Sequence, residues 1–220
     1  MIKAVIFDFD GVIVESSDIK TEAFRRLFEK EFPEQIEAIV DHHKRNMGIS
    51  RFVKFRTVYE RILRRELTAG QEAELGKRFS ALVVDEVLKV SFVPGALNFL
   101  KSCKKQYVFF IVSGTPHEEL SDIVRKRELS GYFQEVWGSP PEKAKMIQSI
   151  LDRTGLKPFE AAFVGDAASD LEAAKETGVH FIARLSGQGQ GFENCLNQIP
   201  DLTLLEPLLK NLSNGRETKK

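Results

Sequence analysis

The chain has 220 residues, 42% apolar and 29% charged, the balance of a folded globular protein with room for one ordinary core and a smaller accessory domain. Lys+Arg and Asp+Glu both number 32, so there is no overall positive field of the kind that holds nucleic acid non-specifically, and no polyanionic partner is expected. The longest apolar runs fall far short of the ~20 residues that a membrane-spanning helix needs, which excludes a helical membrane protein and predicts no membrane partner.

The first expected element is a strand over 3–7, Lys3-Ala4-Val5-Ile6-Phe7, which follows Met1 with no secretory pattern. A cytoplasmic protein is the expectation, with Cys103 and Cys195 as reduced thiols, too few and too isolated for a disulfide framework or a zinc site. The strand runs directly into Asp8-Phe9-Asp10-Gly11. Two carboxylates two apart leave the strand on one side of the chain. At the edge of a low-dielectric core they both stay ionised only with a cation or hydrogen-bond donors close by. Taken alone, the same residues also read as turn or capping aspartates.

From 16 to 90 no strand is evident, and Glu, Arg, Lys, Leu and Phe recur at helical spacing. About 75 residues between two strands are too many for one crossover helix. The expectation is an inserted all-helical cap over 16–90, hinged near 14–17 and 89–94. Phe52, Phe55, Tyr59, Phe79 and Leu82 are its expected core. His42 and His43 have no evident third ligand and predict no metal site.

After the insertion, helices are expected at 95–104, 117–128, 142–154 and 168–177, and strands at 107–112, 133–137, 161–164 and 179–183, with a further short strand at 202–205. Strands alternating with helices predict a mainly parallel sheet with helices on both faces. The catalytic core is thus expected over 1–15 and 91–213. Gly187-Gln188-Gly189-Gln190-Gly191 reads as a mobile loop, and the polar tail over 214–220 as disordered.

Three more of these segments carry polar groups at a strand's carboxyl end. Val112 is followed by Ser113-Gly114-Thr115-Pro116, a hydroxyl and free amides before a helix, which suits an anion. Lys143, at a helix start after Pro140-Pro141-Glu142, opposes the helix dipole unless an anion is near, with Lys145 as the fallback. Val164 leads into Gly165-Asp166-Ala167-Ala168-Ser169-Asp170, a second acidic pair four apart. Singly, these are an N-cap serine, a surface lysine and helix-capping acids. Together they present Asp/Asp, Ser, Lys and Asp/Asp at the edge where open α/β sheets bind ligands.

In this order the segments resemble the four motifs of the haloacid dehalogenase superfamily, in its capped phosphoglycolate phosphatase and β-phosphoglucomutase-like group. The resemblance implies a Rossmann-like three-layer α/β core with a helical cap, and a Mg²⁺-dependent phosphatase acting on a small phosphorylated metabolite. Asp8 would be the nucleophile that forms an aspartyl phosphate, and Asp10 the general acid and base. Ser113, Gly114 and Lys143 would bind the phosphoryl group. Asp8, the backbone carbonyl of Asp10, Asp166 and Asp170 would hold the metal. The acid at position 10 argues against dehalogenation. Lys20 stands where related mutases carry a histidine, which favours hydrolysis over mutase chemistry and leaves a Schiff-base phosphonatase as a minor alternative. The cap turn over 42–51 is expected to face the site, with Arg45 and Arg51 as candidate substrate ligands or, alternatively, solvated turn residues. A receiver-type phosphoacceptor uses similar groups but is about half this length and keeps its acids near the first strand.

Overall fold

The computed structural model describes residues 1–186 and 191–214. The glycine-rich run, apart from Gly191, and the tail beyond residue 214 lie outside the described residues.

Strand β1 (Ala4–Phe7) leads through the loop over 8–16 into four helices: α1 (Ser17–Phe28), α2 (Ile36–Arg45), α3 (Arg51–Thr57) and α4 (Ala69–Lys89). A π-helical turn, Val58–Leu63, continues α3 and ends at Arg64 in the left-handed region. Thr68 starts α4 with a reciprocal capping box to Gln71. Then follow α5 (Ala96–Cys103), β2 (Val108–Pro116), α6 (His117–Lys126), β3 (Glu135–Ser139), α7 (Lys143–Thr154), β4 (Ala161–Gly165), α8 (Ala168–Thr177), β5 (His180–Arg184), β6 (Gln198–Ile199) and α9 (Leu205–Asn214). No helix among the described residues is long and apolar enough to cross a membrane.

Among the described residues the strands form one parallel sheet in the order β3-β2-β1-β4-β5-β6, an α/β Rossmann-like arrangement. Period-two alternation divides the core between the two faces. Ala4, Ile6, Phe110, Val112 and Phe163 pack with Met146, Ile147 and Ile150 of α7 and Ala173 and Ala174 of α8. Val5, Phe7, Phe109, Ile111 and Val164 pack with Phe99 and Leu100 of α5, Ile123 of α6 and Leu205 and Leu209 of α9. The inserted helices close around aromatic rings: Phe24 lies 5.5 Å from Phe55 and 5.6 Å from Phe28 and Phe79.

One expected strand is corrected. Residues 202–205 are a 3₁₀ turn (Leu202–Leu204) leading into α9, and the sixth strand is the short Gln198–Ile199, paired with Ala183 and Arg184. Leu202, Leu205 and Leu209 are buried at helical spacing while Leu204 is exposed. Asp201 caps the turn by accepting from the Thr203 amide at 2.9 Å.

The topology brings the motifs together. Phe7 of β1 is in register with Ile111 of β2 and Val164 of β4, so Asp8, Ser113 and Asp166 leave neighbouring strands at the same sheet edge. The chain passes from β1 to one side and returns to the other, which opens a crevice at this edge.

Candidate active site

Asp8 is buried; its backbone amide donates to Val164 O at 2.9 Å, and its Oδ1 accepts from the Phe9 amide at 2.6 Å. Lys143, the first residue of α7, reaches Asp8 Oδ2 at 2.8 Å and Asp170 Oδ1 at 2.5 Å. Asp170, in the first turn of α8, also accepts from the Ala167 amide at 3.0 Å. Lys145 points away, half-exposed or more, toward Glu142 at 3.5 Å, so Lys143 is the lysine that enters the cluster.

Two glycines make the cluster possible. A Cβ on Gly11, which has φ +71°, would lie 2.0 Å from Asp166 Oδ2 and 2.5 Å from Ser17 Oγ. One on Gly165 would lie 2.3 Å from Asp170 Cβ.

Asp8, Asp166 and Asp170 each offer a carboxylate oxygen, all within 4.8 Å of one another and all buried. Burial raises the Asp8 carboxyl to about 6, with Lys143 pulling it down and Asp170 and Asp10 pushing it up. Burial, then Asp8 and Asp170, hold Asp166 well above the usual carboxylate range. Burial lowers Lys143, but Asp170 and Asp8 outweigh it and raise the lysine overall. Three carboxylates against one ammonium leave uncompensated negative charge in a dry site. A hard divalent cation with oxygen ligands fits this donor set.

Asp10 is turned away from that triad. Its Oδ1 accepts from Ser16 Oγ at 2.6 Å, and its Oδ2 accepts from Thr115 Oγ1 at 3.0 Å and from Lys20 Nζ. Lys20 also donates to Thr115 Oγ1 at 2.7 Å. Burial would raise Asp10, but the charge and hydrogen bond of Lys20, with Ser16 and Thr115, hold it below its ordinary value. Ser113 is buried beside it, its Oγ accepting from the Thr115 amide at 3.2 Å.

The inserted helices cover this edge. The loop after α2 rests on the sheet: Ser169 Oγ donates to Met47 O at 3.1 Å, and a Cβ on Gly114 would lie 2.4 Å from Gly48 O. Beneath is a cavity of about 50 Å³ bounded by Asp8, Asp10, Ser113, Gly114 and Asp166 below and by Lys20, Phe24, His43, Arg51, Lys54 and Phe79 above.

The two candidate arginines part company. Arg45 is exposed on α2, 3.6 Å from Asp41, and is not brought to the cavity. Arg51 lines it, but its guanidinium is engaged by Glu119 of α6 and Ser80 of α4 and stacks 4.5 Å over Phe79. Sequence reasoning missed Thr115, Ser16, and above all Lys54 as site residues. The signal for Lys54 is the spacing: Arg51, Lys54, Phe55 and Val58, at i, i+3, i+4 and i+7, form one buried stripe along α3 and into the π-helical turn that continues it.

Comparison with known proteins agrees with this architecture. The haloacid dehalogenase-like hydrolase family profile matches residues 5–184. A phosphorylated carbohydrates phosphatase from Thermotoga maritima is 28% identical over 188 residues, covering 82% of this chain and 83% of that one. A phosphoglycolate phosphatase from Aquifex aeolicus is 25% identical over 224 residues, covering 96% and 97%. Among solved structures, β-phosphoglucomutase from Clostridium difficile shares the fold with a TM-score of 0.79 at 16% identity, covering 97% and 98% of the two chains. A haloacid dehalogenase-like hydrolase from Streptococcus pneumoniae does so at 0.66 and 23%, with the same coverage. With its acids, lysine and serine converging on one sheet edge, and with the profile spanning most of its length, the chain belongs to the haloacid dehalogenase-like hydrolase family.

Proposed function

We propose that the protein is a Mg²⁺-dependent phosphatase that hydrolyses small phosphomonoesters through an aspartyl phosphate at Asp8. The observation that carries this reading is the Lys143 ammonium shared between Asp8 and Asp170, with Asp166 alongside, at the end of the central strand. A phosphomonoester dianion repels a carboxylate, so attack needs positive charge assembled around the phosphoryl oxygens. Lys143 supplies one such charge, and Ser113 Oγ and the Gly114 amide supply neutral donors. A divalent cation held by Asp8, Asp166 and Asp170, with the Asp10 backbone carbonyl, would add the rest.

In this scheme one Asp8 oxygen attacks phosphorus in line while the leaving oxygen takes a proton through Asp10, which receives it from the Lys20 ammonium hydrogen-bonded to it. Asp10 then accepts a proton from the water that cleaves the acyl phosphate. Residues 16–90 act as a cap that excludes bulk water, in keeping with the small cavity. A cytoplasmic location fits the free thiols of Cys103 and Cys195. Small phosphorylated metabolites are the substrate class, in line with the names of the Thermotoga and Aquifex relatives. The test is phosphate release from p-nitrophenyl phosphate with Mg²⁺, which Asp8→Asn abolishes if the reading holds. Release that survives Asp8→Asn refutes it.

A further inference from the structure

Strand β5 ends in a cation, Arg184, whose guanidinium crosses to the loop that follows β1. Nη1 donates to Gly11 O at 3.2 Å and to Glu15 Oε2 at 3.0 Å, and Nη2 donates to Glu15 Oε1 at 2.6 Å. Nε donates to Pro200 O at 3.2 Å. The Arg184 side chain is 8% exposed, and that of Glu15 is half-buried. One planar fork thus grips both oxygens of a carboxylate and a backbone carbonyl on either side of it.

The stretch it grips is the hinge of the inserted helices. The Gly11 amide donates to Val14 O at 2.8 Å, and Val14 bridges to Asp10 and to Phe92. The Glu15 amide donates to Ser91 O at 3.0 Å and the Val93 amide to Ile13 O at 3.0 Å, so both connections to the inserted helices run side by side here. Just beyond Glu15, Ser16 Oγ donates to Asp10 Oδ1 at 2.6 Å and Ser17 Oγ to Asp166 Oδ2 at 3.3 Å. Arg184 therefore holds the residue from which the chain goes on to both acids.

An ion pair drawn this far out of water adds little net stability, because desolvation offsets most of the attraction. Its effect lies in geometry: a two-pronged pair admits one orientation, and a carbonyl held in the same fork fixes the turn that carries it. A small shift of that turn matters at Asp10, whose carboxylate is set by Ser16, Thr115 and Lys20. We propose that Arg184 is a positioning residue: through Glu15 and Gly11 O it fixes the loop over 10–17, and so sets Asp10 and the seat of the inserted helices together. The catalytic consequence rests on the phosphatase reading, whereas the grip on the hinge does not. Lysine cannot replace this arginine, because one ammonium does not span Gly11 O, Pro200 O and both Glu15 oxygens.

The test uses the full-length protein with Arg184→Met and Arg184→Lys, each checked for a cooperative thermal transition. Amide hydrogen exchange is read by mass spectrometry without Mg²⁺ on peptides spanning 11–16 and 91–93, with peptides of α7 as the internal reference. In both variants exchange at the two hinge stretches is expected to accelerate about tenfold or more, with α7 unchanged. Steady-state kinetics on p-nitrophenyl phosphate with Mg²⁺ are expected to show kcat lowered about ten- to a hundredfold, with KM within about threefold of native. Native exchange at the hinge in both variants overturns the proposal, and so does acceleration shared equally by α7, which marks a general loss of stability. A kcat that stays within about twofold of native in both variants overturns it as well. Absence of p-nitrophenyl phosphate hydrolysis by the native protein would instead remove the phosphatase reading, and the exchange comparison then decides the grip on the hinge by itself.

Discussion

Arg51, at the start of α3, and Glu119, in the first turn of α6, form a two-pronged ion pair, with NH1 to Oε2 at 3.1 Å, that ties the inserted helices to a helix packed on the sheet. Both side chains are largely buried, and Ser80 bonds to both. Removing one partner leaves the other charge stranded, so Glu119→Gln is expected to lower stability by roughly 3 kcal/mol. The double variant Arg51→Met/Glu119→Met removes both charges and should cost distinctly less. Urea unfolding of the three proteins checks this; equal losses in the single and double variants would show that the pair is not the cause.

Gly114 meets the cap loop backbone to backbone. Its missing Cβ leaves the space that Gly48 O occupies, at 2.4 Å from where that atom would stand. Gly114→Ala is therefore expected to lift the loop over 46–50 off the sheet edge. A small displacement of positioning groups is enough to cost on the order of 10² in rate. Steady-state kinetics on p-nitrophenyl phosphate should show a lower kcat/KM with a thermal midpoint little changed. Unaltered kinetics would mean that the loop does not need to seat for turnover.

The Lys54 environment sets a pH dependence of stability with a definite sign. Its folded value, about 7, lies below the ordinary 10.5, so between these limits the unfolded chain holds the proton and the folded chain does not. Stability from this group therefore rises as pH climbs above 7 and is least below 7, where the charge must be buried. The gain from pH 7 to 9 amounts to about 2 kcal/mol. His43, Lys20, Arg51, Lys143 and Asp10 all act on this lysine, so the comparison is with Lys54→Met in metal-free buffer. The difference in unfolding free energy between the two proteins should carry the slope, and a flat difference would contradict the assignment.

The crowded carboxylates predict a metal effect that needs no turnover. Mg²⁺ binding to Asp8, Asp166 and Asp170 should raise the thermal midpoint with concentration, by about 2.7 kcal/mol of stability at a hundredfold excess over Kd. Asp166→Asn should blunt that response while raising the metal-free midpoint, because one of three crowded buried acids is gone. A midpoint indifferent to Mg²⁺ in both proteins would argue against the metal site.

The parts of the site legible in the sequence are those where an apolar strand stops at a polar residue. Asp8, Ser113 and Asp166 all follow buried β-rich runs, and parallel register does the rest. Sequence alone did not separate Lys143 from Lys145, since both sit in the first turn of α7, and only the packing of that turn against Asp170 does so. Arg45 and Arg51 look equivalent along the chain; the phase of α3 buries one and the end of α2 exposes the other. A lysine among charged neighbours is usually solvated, so the residue type at position 54 points to the surface, and only the burial of α3 brings Lys54 to the site. The segment around Leu202 is a 3₁₀ turn where a strand is expected, because a short apolar run fits a strand or a buried helix equally well.

The proposed reaction turns on the carboxyl group of Asp8. The direct measurement is rapid acid quench during the first turnover of a phosphomonoester with Mg²⁺, then borohydride reduction and peptide mass mapping. Reduction converts an acyl phosphate to an alcohol, so homoserine is expected at position 8 and nowhere else. Homoserine or a stable phosphoryl group at another residue, with Asp8 unmodified during active turnover, would contradict it.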